Sequence, residues 1–398
     1  MGPLRRSLGC AGVRPVIRPL LVALAALAMP LNGAVAECRA VAVTAHGRPV
    51  VGIEDLVVDE ALGQAVLSTY DRRAASGKAG GGLFLLPLAA LAGERAEAVE
   101  LSANLHLKGE FRPHGMDLRV ETDGSRSVLV VNRRCNDDTV VERFSFVGDV
   151  LRHEGTVESP LLCRANEVVF LDAERFLFTS DHGGCGWAAG VLENALNLHR
   201  GFVGLVKEGR VLVLAEGIGF ANGLLPDRAA DRLFVAATRE DAVLIYRLSA
   251  LLAGDGTTVP ERIAVPGGPD NLSRAVSGVL EDRVLAAVHP SLFALALHRF
   301  GLPGGATAPT RIVALGPDGM EDGVEVVAED DWHRLSGATV AAAWRGGLIA
   351  GSATSDRLLV CGDGPSGANR SSGWAAPEVP KISGALLLFF FSDCDGTP

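Results

Sequence analysis

Four short phrases place oxygen-bearing side chains at the edge of apolar, strand-like runs: Gly52-Ile-Glu-Asp55, Ala165-Asn-Glu167, Phe220-Ala-Asn-Gly223 and Pro269-Asp-Asn271. The steps from Glu54 through His114, Asn166 and Asn222 to Asp270 are 60, 52, 56 and 48 residues, close to the roughly 40–50-residue periods of propeller repeats. Because the innermost strand of each blade lines a central channel, equivalent blade positions converge on one axis. Apart from His114, these positions supply carboxylates and amide carbonyls, which predicts a hard-cation site best suited to calcium.

The rest of the chain indicates an all-β fold. From residue 50 to residue 362, short β-rich runs alternate with Gly, Asp, Asn and Pro, without a long helical period. Five runs are expected to form the second strand of a blade: 65–69, 127–131, 232–237, 283–288 and 347–350. Strand sets of about 50 residues predict a six-bladed β-propeller over residues 37–363. Short helices are expected at 87–101, 191–198 and 248–252, either as a lid or membrane-contacting surface or as ordinary connections.

Composition narrows the class of protein. The chain has 398 residues, of which 48% are hydrophobic and 21% are charged, and this balance is typical of a soluble globular protein. The net charge of −10, with no basic run interleaved with aromatic residues, argues against nucleic acid as a partner. Small, neutral or cationic ligands remain open.

The two ends of the chain differ from its centre. Arginines at positions 5, 6, 14 and 18, an apolar stretch over 19–31 and Ala34-Val-Ala36 predict a signal peptide over residues 1–36, with an uncleaved anchor as the alternative. Export implies a secreted or periplasmic protein whose cysteines can pair. Residues 364–398 form a Gly/Ser/Pro-rich C-terminal tail of unknown role, and its apolar run is too short to cross a bilayer.

Six cysteines follow the predicted signal peptide, which permits three disulfides without proving any. Cys38 and Cys361 lie at the two ends of the expected propeller, where a bond between them would close the ring. Cys163 and Cys185 flank a predicted hairpin that turns at 172–174, so a bond between them is geometrically plausible. The pairing of Cys135 and Cys394 stays open.

In order and spacing, these phrases resemble the paraoxonase/arylesterase family, six-bladed calcium propellers that hydrolyse lactones and aryl esters. The resemblance covers the chain from about Cys38 to Cys361. Further matching phrases are Pro113-His-Gly115, Leu129-Val-Val-Asn132, Ser180-Asp-His182, Ala215-Glu-Gly-Ile-Gly219, Val288-His-Pro290 and Gly337-Ala-Thr-Val340. Each phrase alone is weak, but their order and spacing together are specific.

The resemblance implies two calcium ions. The ligands of the catalytic ion would be Glu54, Asn166, Asn222, Asp270 and Asn271. The second, structural ion would bind Asp55, Glu167 and the main-chain oxygen of Met116. Glu167 stands where the family has Asp, so its longer carboxylate must shift by about one bond length to reach the ion.

The family's catalytic histidine pair is only half present. His114 matches the first histidine, whereas Arg133 replaces the second. A guanidinium cannot accept a proton, and a nearby cation should lower the pKa of His114. Either a neutral His114 acts alone on water, or Asp270 acts as base or nucleophile. By the same resemblance, Arg133, His182 and His289 are expected to line the substrate pocket or to pack behind it.

The sequence therefore predicts a calcium-dependent hydrolase of lactones and aryl esters, in which Ca²⁺ polarises the carbonyl while a base activates water. Small-molecule esters or lactones are the expected partners, with a lipid or membrane surface as a further expectation. Two alternatives remain: a sugar-lactone hydrolase of the wider propeller group, and a calcium-stabilised propeller that binds without catalysis.

Overall fold

Six antiparallel sheets follow one another around a central axis, and each begins at or beside one of the polar phrases or its equivalent. The computed structural model describes residues 37–73, 81–134, 138–254, 258–302, 307–316, 323–330 and 333–362. The predicted signal peptide and C-terminal tail, and with them Cys394, lie outside these ranges, as does Cys135. The prediction of an all-β, six-bladed β-propeller is confirmed.

The strands of each blade are given from the channel outwards. Blade 1 contains Ile53–Asp59, Gln64–Tyr70, Gly81–Pro87 and Val99–Glu100. Blade 2 contains Pro113–Val120, Arg126–Arg133, Thr139–Val147 and Val150–Val157. Blade 3 contains Ala165–Phe170, Phe176–Ser180, Gly201–Lys207 and Arg210–Ile218.

Blade 4 contains Ala221–Asp227, Arg232–Ala237, Ala242–Arg247 and Glu261–Ala264. Blade 5 contains Gly268–Arg274, Val284–His289, Thr310–Leu315 and Val324–Asp330. Blade 6 contains Val340–Trp344, Gly347–Gly351, Arg357–Cys361 and Cys38–Ala45, and Arg48–Pro49 and Arg95–Glu97 extend its sheet. All five predicted second strands occupy that position.

Blade 6 closes the ring, because its fourth strand comes from the start of the propeller. Cys38–Ala45 pairs antiparallel with Arg357–Cys361, and Cys38 lies opposite Cys361 in the register. A disulfide joins these two residues across a sequence separation of 323. A second disulfide joins Cys163 and Cys185. Both of the cysteine pairs considered from the sequence are thus bonded.

The apolar core is divided into six clusters, one at each junction between neighbouring blades. Valine, leucine and alanine from the alternating faces of adjacent sheets fill these junctions, as expected for sheets that pack face to face. The core therefore holds neighbouring blades together and leaves the axis to the starts of the inner strands.

Helices are short and few in the part of the chain that the structure describes. Three α-helices span Trp187–Ala195, Leu248–Ala253 and Leu292–Arg299, and 3₁₀ turns span Leu88–Ala92, Pro160–Leu162, Thr238–Glu240 and Gly278–Leu280. The helix expected over 87–101 is only the first of these turns, since strands follow it at Arg95 and Val99. The helix at Leu292–Arg299 was not predicted. None of the described helices is long and apolar enough to cross a membrane.

Candidate functional site

An irregularity at the start of the inner strands turns the predicted residues toward the axis. In blades 1 to 5, the pairing between the first and second strands shifts register at the polar phrase, for example between Ile53 and Asp55 and between Ala165 and Val168. Such bulges re-aim side chains and often lie beside active sites. They occur here in all five blades that carry a predicted site residue.

Two glycines allow the inner strands to approach each other closely at this level. A Cβ at Gly115 would lie 2.4 Å from the main-chain oxygen of Asn166, and one at Gly223 would lie 2.5 Å from that of Asp270. Because a side chain cannot fit at such distances, glycine is required at both places. The polar phrases of neighbouring blades therefore pack backbone against backbone.

The three predicted asparagine ligands are held in a common orientation. The amide nitrogen of Asn166 donates to Asp181 Oδ2 (3.3 Å), that of Asn222 to Thr238 Oγ1 (3.2 Å), and that of Asn271 to the main-chain oxygen of Glu54 (3.3 Å). With each NH₂ group anchored, each carbonyl oxygen must point the other way. The amide orientation is therefore set by the surrounding hydrogen bonds.

Four oxygens in this group are buried without a hydrogen-bond partner among the residues that the structure describes: Glu54 Oε2, Asn166 Oδ1, Asn222 Oδ1 and Asn271 Oδ1. Their residues are only 1–4% exposed. A buried acceptor without a partner costs about 1–3 kcal/mol, and four such acceptors from separate blades form what we call the oxygen cage. Carboxylate and amide oxygens are calcium ligands, so these residues fit the implied ion.

The cage differs from a site made only of acids and histidines. Across the ranges that the structure describes, no group of three or more His, Cys, Asp or Glu side chains is arranged to hold a metal ion. Three of the five predicted ligands are asparagines, so the amide oxygens, rather than a dense acidic cluster, give the cage its character.

Hydroxyl groups attach the cage residues to neighbouring blades. Thr339 Oγ1 donates to the main-chain oxygen of Glu54 (2.6 Å), and Thr179 Oγ1 donates to that of Asn222 (2.6 Å). Ser68 Oγ makes the same contact with His114 (2.5 Å). These bonds fix the height at which each inner strand enters the channel.

Glu54, His114 and Arg72 form a buried group beside the cage. His114 Nδ1 accepts a hydrogen bond from Arg72 Nη2 and lies 3.3 Å from Glu54 Oε1, while Arg72 Nη2 lies 3.7 Å from the same oxygen. Burial raises the pKa of Glu54 to about 7, although Arg72 opposes the rise. Burial, followed by the charges of Arg133 and Arg72, holds the pKa of His114 well below its usual range. His114 is therefore neutral, in the direction expected from a nearby cation.

Arg133 joins the site through Asp181. Its Nη2 donates to Asp181 Oδ2 (2.6 Å), and its Nε donates to the main-chain oxygen of Ala165 (2.9 Å). Asp181 Oδ1 lies 2.6 Å from His182 Nδ1. Burial acts to raise the pKa of Asp181, but Arg133 and His182 together hold it well below its usual range. Because Asp181 also anchors the Asn166 amide, Arg133 supports the cage indirectly.

Asp270 and His289 form a carboxylate–imidazole pair on the side of the channel opposite blade 2. Asp270 Oδ2 lies 2.7 Å from His289 Nε2, and His289 is only 2% exposed. The other ring nitrogen, Nδ1, has no hydrogen-bond partner. His289 thus contacts the predicted ligand Asp270 directly, whereas His182 is linked to the predicted ligand Asn166 only through Asp181.

The residues predicted for a second ion are also buried together. Asp55 accepts hydrogen bonds from the backbone N–H groups of Leu56 and Met116 (both 2.8 Å), and Glu167 accepts from Val168 N–H (2.8 Å). Burial raises the pKa of both carboxyls well above the usual range, and each is raised further by a neighbouring acid. Neither forms an ion pair with any residue that the structure describes. A cation would therefore compensate this pair.

Arg72 is the main residue that the sequence did not point to. It lies two positions beyond the second strand of blade 1, outside every quoted phrase, yet its side chain is only 5% exposed and contacts both Glu54 and His114. The blade repeat gives no signal for it, because the register makes Tyr70, rather than Arg72, the counterpart of Arg133 in blade 2.

Known proteins resemble this chain in sequence. The sequence model of the arylesterase family, described as "Arylesterase", matches residues 71–362. Serum paraoxonase/lactonase 3 of Oryctolagus cuniculus is 28% identical over 258 residues, covering 65% of this chain and 70% of that protein. Serum paraoxonase/arylesterase 1 of Mus musculus is 25% identical over 258 residues, covering 64% of this chain and 69% of that protein.

Among solved structures, the calcium-binding protein regucalcin of Agrobacterium tumefaciens aligns with a TM-score of 0.48 and 14% identity, covering 81% of this chain and 95% of that one.

Proposed function

Because this chain belongs to the paraoxonase/arylesterase family, we propose that it is a calcium-dependent hydrolase of lactones and aryl esters. The oxygen cage carries this proposal, since its buried acceptors lack partners among the described residues. The proposed ligands are Glu54, Asn166, Asn222, Asp270 and Asn271. When bound, calcium supplies a Lewis acid that polarises the ester carbonyl and stabilises the negative charge that develops on its oxygen.

The three asparagines contribute ligand oxygens that are already in position before the substrate binds. Because Asp181, Thr238 and the Glu54 carbonyl already hold the amide nitrogens, the carbonyl oxygens need not reorient during turnover. Donors and acceptors fixed in advance cost no reorganisation at the moment of reaction.

Asp270 is the proposed general base. His289 Nε2 occupies one lone pair of its Oδ2, which fixes the carboxylate. The remaining lone pairs of the carboxylate suffice both to bind the proposed ion and to take a proton from the attacking water. Because a proton on Asp270 can then be returned to the leaving oxygen, one residue serves both halves of the hydrolysis.

His114 is proposed as a hydrogen-bond donor. A guanidinium offers only donors, so the contact with Arg72 makes His114 Nδ1 an acceptor and places the imidazole proton on Nε2. That nitrogen is buried without a partner among the described residues, and it is available to donate to a substrate oxygen.

A second calcium ion is proposed between Asp55, Glu167 and the main-chain oxygen of Met116, because two adjacent buried acids without an ion-pair partner require compensation. Its role would be structural. Apparent stability would then depend on calcium even in variants that have lost catalysis.

The function is tested by measuring the hydrolysis of γ- and δ-lactones, a sugar lactone and phenyl acetate. Each substrate is measured with calcium, after chelation and after calcium return. We expect turnover that calcium restores, together with its loss in Asp270→Asn while calorimetry still detects calcium binding. Turnover of the sugar lactone alone would select that alternative. Calcium binding without turnover of any ester would contradict the proposal and favour the non-catalytic propeller.

We also propose that the protein is exported, since it forms two disulfides and its relatives are named serum proteins. A lipid surface is the proposed docking partner of the helix Trp187–Ala195, because Trp187 and Leu192 are 47% and 55% exposed, as is Leu196 just beyond it at 60%. Co-sedimentation with phospholipid vesicles tests this contact, and Leu192→Glu should abolish it. Unchanged co-sedimentation of the variant would refute it.

A further inference from the structure

With both proposed calcium ions bound, positive charge would exceed negative charge around the oxygen cage. Five arginines surround the cage and its supporting residues: Arg72, Arg133, Arg164, Arg239 and Arg299. Four carboxylates oppose them: Glu54, Asp181, Glu193 and Asp270. Asp55 and Glu167 are matched by the second ion proposed above. A bound calcium ion would add two more positive charges. The channel entrance around the cage, which we call the mouth, would then be locally positive although the net charge of the protein is −10.

A cavity of about 480 Å³ lies at the end of the second strand of blade 1. Arg72 contacts Glu54 and His114 beside the cage. The next residue, Arg73, lines the cavity together with His298, Arg334 and Arg357, and with the carboxylates of Asp71 and Asp356. Consecutive Cα atoms are about 3.8 Å apart, so the arginine that contacts Glu54 and the arginine that lines the cavity are direct neighbours at this strand end.

Arg73 brings a positive charge to the cavity, and the acid Asp71 interacts with it electrostatically without forming an ion pair among the described residues. Its Nη2 lies 2.8 Å from the ring nitrogens of His298 and donates to the His298 carbonyl (2.5 Å). His298 is itself held by Thr354, with 2.8 Å between Nε2 and Oγ1. Among the described residues, Arg73 forms no ion pair, and Asp71 bonds only its backbone N–H (3.0 Å). The guanidinium is thus positioned by neutral groups and keeps its charge for a ligand.

We propose that the preferred substrate is an ester or lactone that carries a carboxylate, which Arg73 binds in this cavity while the reacting carbonyl lies at the cage. This inference rests on the proposed hydrolase function and names its substrate class. Carboxylate and guanidinium form charge-assisted hydrogen bonds, and a positive mouth attracts anions from solution. The surrounding arginines thus favour an anionic substrate. The two acids and three amides of the five proposed ligands alone would suit a neutral lactone.

Matched substrates test the inference. Phenyl acetate is compared with 4-acetoxybenzoate, and γ-butyrolactone with its γ-carboxylate, in the calcium-loaded full chain at low ionic strength. We expect kcat/KM to be higher for the carboxylated member of at least one pair. Arg73→Met should reduce that preference about tenfold, and Arg73→Lys should retain most of it. Arg210→Met, an equal change of charge at an exposed position on the outer strand of blade 3, should leave the preference unchanged.

Binding without turnover separates this inference from the function on which it rests. Glutarate titrated into the calcium-loaded protein should bind, and Arg73→Met should weaken the binding about tenfold. If no ester is hydrolysed, the hydrolase proposal fails, but the glutarate titration still tests whether Arg73 binds a carboxylate in the cavity. Equal kcat/KM for both members of both pairs, or glutarate affinity that Arg73→Met does not change, would overturn the inference.

Discussion

Replacement of Asn222 by leucine should change the stability of the protein in opposite directions with and without calcium. Asn222 Oδ1 is buried without a partner, whereas its amide nitrogen donates to Thr238 Oγ1. Without calcium, Asn222→Leu removes the unpaired acceptor, a gain of about 1–3 kcal/mol, and loses one hydrogen bond, a cost of about 1 kcal/mol. The variant should therefore be as stable as the wild type or up to about 2 kcal/mol more stable.

With calcium, the same replacement removes a ligand. At a calcium concentration of about 1,000 times Kd, the ion stabilises the wild type by about 4 kcal/mol, and a hundredfold weaker site would lose about 2.7 kcal/mol of that. The variant should then be about 1–3 kcal/mol less stable than the wild type. Thermal unfolding, followed in chelator and in excess calcium, measures both cases, with about 2 °C expected per kcal/mol.

Asn132→Leu provides the matched control. Asn132 is fully buried, and both ends of its amide are bonded, to Arg112 N–H (2.8 Å) and to Glu142 Oε1 (3.1 Å). This replacement should destabilise the protein equally in both conditions. If Asn222→Leu also shifted Tm by the same amount and sign in both, Asn222 Oδ1 would not be a calcium ligand and the cage argument would fail.

Three further outcomes are expected. Removal of the Cys38–Cys361 disulfide, which spans 323 residues, should lower the free energy of unfolding in urea by about 6 kcal/mol. Removal of Cys163–Cys185, which spans 22 residues, should lower it by about 3 kcal/mol. Equal losses would contradict the ring-closing role of the first disulfide. Arg133→Met should destabilise by about 1.5–3 kcal/mol because Asp181 loses one charged hydrogen bond but keeps His182 and Arg164, and a neutral effect would mean that these two partners suffice. Thr339→Val should weaken calcium binding roughly fivefold by calorimetry, since it removes the bond of about 1 kcal/mol to the Glu54 carbonyl; unchanged affinity would show that this bond does not position the cage.

Much of the fold and part of the site follow from sequence spacing. Glu54, Asn166, Asn222 and Asp270 recur at blade intervals, and a repeated position in a propeller must return to the axis. The second strands were predictable for the same reason, because apolar runs after turn signals recur in each blade. The helix at Leu292–Arg299 carries no comparable repeat, since it decorates one blade only.

Sequence spacing does not predict the direction in which an individual side chain points. Arg72 and Arg73 are adjacent arginines at a strand end, yet one contacts Glu54 beside the cage and the other lines the cavity. That choice depends on His114 and His298, which come from distant parts of the chain. The anchoring of Asn166 by Asp181 likewise exists only after blade 3 has folded. The charge at the mouth, and with it the inferred substrate class, was therefore beyond a reading of the sequence.

The position of calcium in crystals of the protein grown with the ion tests the central claim most directly. We expect one ion about 2.3–2.6 Å from Glu54 Oε2, Asn166 Oδ1, Asn222 Oδ1 and Asn271 Oδ1, identified by its anomalous scattering. Water alone among these four oxygens at saturating calcium, or an ion bound elsewhere on the propeller, would contradict the account.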